Sequence, residues 1–162
     1  MIKKRPKILG CEIDPSEDLD QILDKVEEYR KKQDVFLQVF DANMVLGKMH
    51  LLWAYDKSLR CFNNNTNSAE TLEIETLLWS SGERQIKGAL KKMGIKEDTE
   101  NVAVLIDSNV RQFLQFMGWK RSDSVLEPSK EKLKNHCITN KEIRSVENQY
   151  DIIFEKMSLS SL

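Results

Sequence analysis

Glycine-rich phosphate loops, metal-ligand pairs and long apolar runs are missing from this chain of 162 residues. Its six glycines are scattered, so neither a P-loop nor a dinucleotide fingerprint is present. The cysteines (Cys11, Cys61, Cys137) and the histidines (His50, His136) show no zinc-ligand spacing. No apolar run has spanning length, and the basic start lacks the apolar segment of a signal peptide. We therefore expect no metal, no cofactor and no membrane partner, and a reducing, cytoplasmic location.

Charge of one sign is not in excess either. The chain holds 25 Lys and Arg residues against 26 Asp and Glu residues, a formal net charge of -1. Any nucleic-acid contact must therefore come from a local patch of cations. Hydrophobic residues make up 40% and charged residues 31%, which is typical of one folded domain over 1–162.

Three apolar runs predict buried strands, at Lys7–Ile13, Val35–Phe40 and Asn101–Asp107. A fourth, short edge strand is predicted at Ser124–Leu126. Helical periodicity fills most of the remainder, beginning with a helix capped by Asp14. The sequence thus predicts a single α/β or α+β domain, with a small mixed or antiparallel sheet of three to four strands and about six to eight helices.

Two helices meeting at a tight corner are predicted over Thr71–Met93. Gly82 ends the first, and Ser80 or Ser81 is placed to cap the second. The apolar face of the second helix, which we expect to be buried, comprises Ile86, Ala89, Leu90 and Met93. Its start carries Arg84, Gln85 and Lys87, which form either an anion-binding helix N-terminus or a solvated face.

A longer helix over Met44–Phe62 places small side chains on one face. That face, which implies close approach by a backbone or a ligand, comprises Gly47, His50, Leu51, Ala54, Ser58 and Cys61. Another arc holds Trp53, Lys57 and Arg60, a pattern suited to stacking an unpaired base and holding its phosphate. Alternatively, Trp53 packs on a neighbour, and the buried-face histidine is a hydrogen-bonded core residue.

Acidic residues end two of the predicted strands. Asp41 and Asp107 occupy positions where α/β enzymes keep catalytic acids, and each is followed by a predicted helix that it can cap instead. An enzyme using Asp41, His50 and Asp107 is therefore one alternative, and it requires these side chains to converge on one pocket.

The C-terminal part predicts a capping box at Thr139–Glu142 and a helix through Ile143, Val146 and Tyr150. The tail at 150–162 is unusually apolar. Its apolar residues, which either finish the core or dock a partner, include Ile152, Ile153, Phe154 and Met157.

Two stretches resemble a known family. FDANMVLGKMHLLWA (Phe40–Ala54) and IETLLWSSGERQI (Ile74–Ile86) are similar to the small kinase-binding subunit of the KEOPS, or EKC, complex, whose animal members are the PRPK-binding proteins. The pattern has an acidic residue ending a strand, then Gly, His and Ala on a helix; a second block has a leucine pair before Ser-Gly-x-Arg-Gln-Ile. Together the two blocks are specific.

The resemblance implies a non-catalytic protein. It implies a subunit that binds and supports the complex's atypical kinase/ATPase and recruits tRNA through its single-stranded CCA end for threonylcarbamoyladenosine formation. The candidate RNA contacts are Lys48, His50, Trp53, Lys57, Arg60, Arg84, Gln85 and Lys87. The candidate kinase-docking residues are Ile152, Ile153, Phe154 and Met157. A protein-interaction module without RNA binding is the alternative within this resemblance.

Overall fold

Four antiparallel strands form the sheet at the centre of the structure, a computed structural model that describes residues 4–144 and 148–160, the last without its side chain. The strands are β1 (Lys7–Glu12), β2 (Leu37–Asp41), β3 (Asn101–Ile106) and β4 (Lys120–Arg121). Their order in the sheet is β2-β3-β1-β4, and every neighbouring pair is antiparallel. Of the predicted alternatives, α+β with an antiparallel sheet is therefore the correct one, and the sheet has four strands, the upper of the two predicted numbers.

Eight α-helices surround the sheet in the described part of the chain. They are α1 (Leu19–Gln33), α2 (Gly47–Asn63), α3 (Leu72–Ser81), α4 (Ile86–Met93), α5 (Val110–Met117), α6 (Lys130–Asn135), α7 (Asn140–Arg144) and α8 (Gln149–Ser160). Two 3₁₀ helices lie at Ala42–Met44 and Asp123–Leu126. None of the helices at 4–144 and 148–160 has the length and apolarity needed to cross a bilayer.

Alternating side chains on the strands divide the core between the two faces of the sheet. On β3, Ala103 and Leu105 face a cluster formed with α2, α3 and α4. Val102, Val104 and Ile106 face a second cluster formed with α1 and α5. The helices that carry the two resembling stretches therefore lie on the same side of the sheet.

The first helix begins later than predicted. Asp18 caps α1 by accepting a hydrogen bond from the Gln21 N–H at 3.0 Å. Asp14 instead accepts from the N–H and the hydroxyl of Ser16, at 2.9 and 2.7 Å. Asp14, the predicted cap, therefore forms a local Asx-type turn instead. A short acidic side chain can accept hydrogen bonds from residues next to it as readily as from the start of a helix.

The corner between α3 and α4 confirms one prediction and contradicts two. Gly82 ends α3 with a φ of 70°, as expected. Ser80 and Ser81 do not cap α4, because that helix begins only at Ile86, with Gln85 at its N-cap position. Their hydroxyls donate back to the Leu77 and Leu78 carbonyls at 2.9 Å. The predicted buried face of α4 is only half right. Of its four residues, Ala89 and Met93 are buried, while Ile86 and Leu90 are 43% and 47% exposed.

The region after β3 contradicts a further prediction. Ser124–Leu126 lies in a 3₁₀ helix, and the edge strand is β4 at Lys120–Arg121. The 3₁₀ helix packs under β1, where Asp123 accepts a hydrogen bond from the Gly10 N–H at 3.0 Å. The edge position is therefore taken by residues whose polar sequence had no strand pattern.

The capping box before α7 is confirmed in both directions. Thr139 accepts from the Glu142 N–H at 3.2 Å, and the Glu142 carboxylate accepts from the Thr139 N–H at 2.9 Å. Val146, predicted to continue this helix, lies outside the described residues, as do 161–162 of the predicted tail.

A third apolar cluster joins α8 to the body of the protein. Ile153 and Met157 are buried in it, together with Leu46, Leu133 and Ile138. Of the two readings of the apolar tail, the core reading is therefore correct for Ile153 and Met157.

Candidate functional site

Two tryptophans from neighbouring helices meet on the surface formed by α2 and α3. Trp53 and Trp79 lie edge to face, with ring centroids 5.8 Å apart and an interplanar angle of 76°. The contact depends on close packing of the helices, which the small buried residues Ala54 and Ser58 of α2 permit. Both indole rings are only partly buried.

Lys57 places its ammonium group over both rings. Its Nζ lies 5.5 Å from the centroid of Trp53 and 5.9 Å from that of Trp79. Such cation–π contacts fix the ammonium group beside the aromatic surface. The predicted pairing of Trp53 with Lys57 is therefore present, extended by a second indole.

Helix α8 covers one side of this aromatic cluster. Phe154 stacks on Trp53 with a centroid distance of 4.9 Å and an angle of 12°, and Tyr150 stacks on Phe154 at 5.8 Å. The alternative reading of Trp53, that it packs on a neighbour, is thus also correct. A ligand can therefore stack only on those parts of the Trp53 and Trp79 rings that remain exposed to solvent.

A cavity of about 390 Å³ adjoins Trp79. Arg84, Glu75, Cys61 and Met157 are among the residues that line it. The Glu75 carboxylate is occupied, because it accepts hydrogen bonds from the Ser68 and Ala69 N–H groups at 2.9 and 2.8 Å. The volume is at the lower end of the range for small-molecule pockets, about 300–1,000 Å³.

His50 is fully buried beneath this surface, so the structure does not offer it to RNA. Its Nδ1 accepts a hydrogen bond from the Leu46 N–H at 3.0 Å, so the other nitrogen, Nε2, carries the proton and donates to the Ser80 carbonyl at 2.9 Å. Burial, with a smaller contribution from His136, lowers the pKa of His50 to about 3. The ring is neutral and belongs to the core, as the alternative reading held.

The close approach predicted at Gly47 is made by this chain itself. Gly47 has a φ of 78°, and a Cβ at this position would collide with the hydroxyl of Tyr150. The space beside α2 is thus filled by α8 rather than by a ligand.

The other predicted RNA contacts divide between two places. Arg84, Gln85 and Lys87 are exposed around the start of α4, and Arg84 lines the cavity next to Trp79. Arg60 is exposed one turn after Lys57 on α2.

Lys48 lies apart from this group. It precedes Lys57 by nine residues on α2, which corresponds to about 14 Å along the helix axis and a rotation of about 180°. Its neighbours are Arg5, Lys7 and Arg121. The structure therefore brings Trp53, Lys57 and Arg84 into one region and leaves out Lys48 and His50.

Trp79 is the site residue that sequence reasoning missed. It lies in the second resembling stretch, Ile74–Ile86, and an aromatic residue beside Ser80 was the available signal. Its pairing with Trp53 depends on how α2 packs against α3, and that packing joins residues 26 positions apart.

The acidic residues proposed for an enzyme do not share a site. Asp41 accepts from the Asn43 N–H at 3.0 Å and binds Lys96 at 3.3 Å. Asp107 accepts from the Phe36 N–H at 2.9 Å, and the helix that follows it, α5, is capped by Asn109 instead.

Strand register sets the separation of these two carboxylates. Asp41 pairs with Val102, five residues before Asp107, so the two lie about 17 Å apart at opposite ends of the sheet. Buried His50 joins neither of them. Among the described residues there is also no cluster of three or more His, Cys, Asp or Glu side chains that could hold a metal ion.

Comparison with known proteins adds a family and one curated relative. The family model described as kinase binding protein CGI-121 matches residues 12–159. The chain is 28% identical to the regulatory protein Cgi121 of Methanocaldococcus jannaschii over 127 residues, which is 77% of this chain and 83% of that protein.

Proposed function

The chain belongs to the CGI-121 family of kinase-binding proteins, and on that basis we propose that it is a non-catalytic regulatory subunit of the KEOPS complex. In this role it binds and supports the atypical kinase/ATPase subunit. It also recruits tRNA by its single-stranded CCA end, so that the complex forms threonylcarbamoyladenosine.

Kinase binding is supported by the family description and by the name of the Methanocaldococcus relative, a regulatory protein. The tail residues we first assigned to docking are only partly accessible. Ile153 and Met157 are buried, whereas Ile152 and Phe154 are half-buried. Of these four assigned residues, only Ile152 and Phe154 therefore remain partly accessible for docking.

Helix α4 offers a more exposed apolar surface for the kinase. Ile86 and Leu90 are one turn apart on the same face and are 43% and 47% exposed. An apolar ridge of this kind fits a groove on a partner, as amphipathic helices commonly do. We assign the main kinase contact to this pair.

One observation carries the tRNA assignment: the Trp53–Lys57–Trp79 cluster adjoins a cavity lined by Arg84. Unpaired bases stack on exposed aromatic rings, and cations beside those rings bind the phosphates between the bases. A protein of net charge -1 needs such local contacts, because it has no global positive field.

The test is binding of one folded tRNA, intact and with its terminal CCA removed, at two salt concentrations. We expect intact tRNA to bind more tightly than trimmed tRNA. We expect Lys57→Glu to lower the affinity for intact tRNA about tenfold and so to remove most of this difference, because the substitution places a carboxylate where a phosphate is bound. Lys25→Glu is the matched control, since Lys25 is exposed on α1. Equal affinity for the two tRNAs would contradict end recognition, and no binding at all would favour a protein-interaction module.

A further inference from the structure

A second cationic surface lies at the end of the sheet where β1 begins and β3 ends. It surrounds a cavity of about 900 Å³. The basic residues that line this cavity are Lys4, Arg5, Lys7, Arg111 and Arg121. Neither the family resemblance nor the CCA assignment accounts for this cluster.

An adjoining cavity of about 460 Å³ extends this surface. It shares Arg5, Lys7 and Arg121 with the first cavity and adds Lys48 from α2. The two cavities are thus adjacent, and we call the surface formed by their six cations the basic trough. Lys48, predicted from the sequence to contact RNA, thus belongs here and not beside Trp53.

Carboxylates neutralise the basic trough only in part. Arg5 is paired with Asp56 at 3.6 Å, and Arg121 with Asp123 at 3.1 Å. All four side chains of these pairs are at least 39% exposed, so solvent weakens both interactions, and a ligand phosphate can replace either carboxylate.

The remaining cations of the basic trough form no ion pair within 4.0 Å in the described part of the chain. They are Lys4, Lys7, Lys48 and Arg111. Asp34 and Asp107 also line the trough, and the Asp107 carboxylate is engaged with the Phe36 N–H. Six cations thus face four carboxylates, an excess of positive charge in a protein whose net charge is -1.

The basic trough differs from the tryptophan surface in one chemical respect. Among the residues that the structure describes, no aromatic side chain lines either of its cavities. Bases that are splayed out need aromatic platforms, whereas the phosphates of a paired region need cations and hydrogen-bond donors. Asn109, at the N-cap of α5, and Gln115, in the second half of that helix, supply polar groups in the first cavity.

We propose that the basic trough binds the sugar-phosphate backbone of a base-paired RNA region. The proposal rests on the proposed function in one respect, that RNA is the partner, and it concerns a different surface. Because Lys48 and Lys57 point to opposite sides of α2, backbone binding in the trough and CCA binding at Trp53 are separable.

The test uses an RNA hairpin without a single-stranded end, and tRNA lacking its CCA, titrated over a range of salt. We expect Lys7→Gln with Arg111→Gln to weaken binding of both RNAs about tenfold at low salt. Each lost phosphate contact also lowers the slope of log K against log salt by about one, hence by about two for the pair. Lys25→Gln with Lys141→Gln is the matched control, because both of these lysines are exposed on other helices.

The outcomes separate this proposal from the CCA proposal. If the trough variant lowers affinity for trimmed tRNA while the ratio of intact to trimmed affinity is kept, the trough is a backbone site. If Lys57→Glu alone fails to change that ratio, the CCA proposal fails and the trough proposal stands. Equal affinities and salt slopes for trough variant and control would overturn the trough proposal. So would a polyglutamate peptide that displaces the hairpin at equal charge concentration, since it would assign the trough to acidic proteins.

Discussion

His50 and His136 meet edge to face inside the protein, with ring centroids 5.4 Å apart. Burial is the main reason why the pKa of His50 falls to about 3 and that of His136 to about 4. The ammonium groups of Lys92, Lys132 and Lys156 add to the positive potential around the pair. The His50 ring is hydrogen-bonded to the Ser80 carbonyl, and the His136 ring is hydrogen-bonded to the Met44 carbonyl at 2.6 Å. In their neutral form, both rings therefore stabilise the fold.

Acid should therefore destabilise this protein in a defined range. The pKa of each ring is lower in the folded than in the unfolded chain, so the unfolded chain takes up protons first as pH falls below about 6.5. We expect the free energy of unfolding to be highest above pH 6.5 and to fall by up to about 1.4 kcal/mol per pH unit for each histidine between pH 6.5 and about 4. Urea titrations from pH 8 to pH 4.5 measure this, and His136→Gln should roughly halve the slope. An unchanged slope in that variant would show that other groups govern the acid response.

In helix α4, the spacing of apolar residues predicted a buried face but did not show which of these residues would remain exposed. Ala89 and Met93 pack against the body of the protein. Ile86 and Leu90 are also four residues apart, yet they face solvent. A helix of eight residues has room for only one buried stripe, and α3 fixes which one it is. The exposed pair is then available for a partner.

Replacing this pair should separate kinase binding from folding. We expect Ile86→Glu with Leu90→Glu to weaken affinity for the kinase partner at least tenfold, because charged groups would have to be buried in the docking groove. Calorimetry or surface plasmon resonance with the purified kinase subunit measures the change, and circular dichroism checks the fold. Leu23→Glu is the control, since Leu23 is 45% exposed on α1. Equal losses for control and pair would count against α4 as the contact.

At the scale of the whole molecule, the C-terminal region is fastened to the start of α2 by polar contacts as well as by the third apolar cluster. Lys132 donates to the Val45 carbonyl at 2.9 Å, and Asn135 donates to the Asn43 carbonyl at 3.1 Å. Burial lowers the pKa of Lys132 to about 8. These bonds join residues about 90 positions apart and hold α6 against the segment that precedes α2.

The neighbouring residues Ile152 and Ile153 test this arrangement. Ile153 is fully buried and Ile152 is half-buried, so the same truncation should have unequal effects. We expect Ile153→Ala to lower the free energy of unfolding by about 2–5 kcal/mol, and Ile152→Ala by less than half as much. Chemical unfolding measures both. Equal losses would mean that α8 is not packed as described.

Much of the fold was predictable because it depends on neighbours in the sequence. Apolar runs predicted β1, β2 and β3, and Gly82 and the Thr139 capping box marked helix ends. These signals fail where a polar side chain has two local partners, as at Asp14. They fail also where a strand is only two residues long, as in β4.

The candidate site was predictable only in outline. Trp53, Lys57 and Arg84 were predicted as RNA contacts from helical spacing and from the family resemblance, and the structure brings them together. Helical spacing predicts which residues share a face of a helix, but it does not predict which other segment packs against that face. For this reason Trp79 was missed, and Lys48 was listed together with cations from which the structure separates it.

By itself, then, the sequence determined the local elements, the family and the absence of a global positive charge, since these depend on residue type and on spacing within a few turns. Tertiary structure decided that His50 is enclosed, that Ile153 is core while Ile86 is exposed, and that the cations form two surfaces. Those outcomes follow from contacts between segments that are distant along the chain. The angle and the register at which such segments pack are not specified by any local sequence pattern.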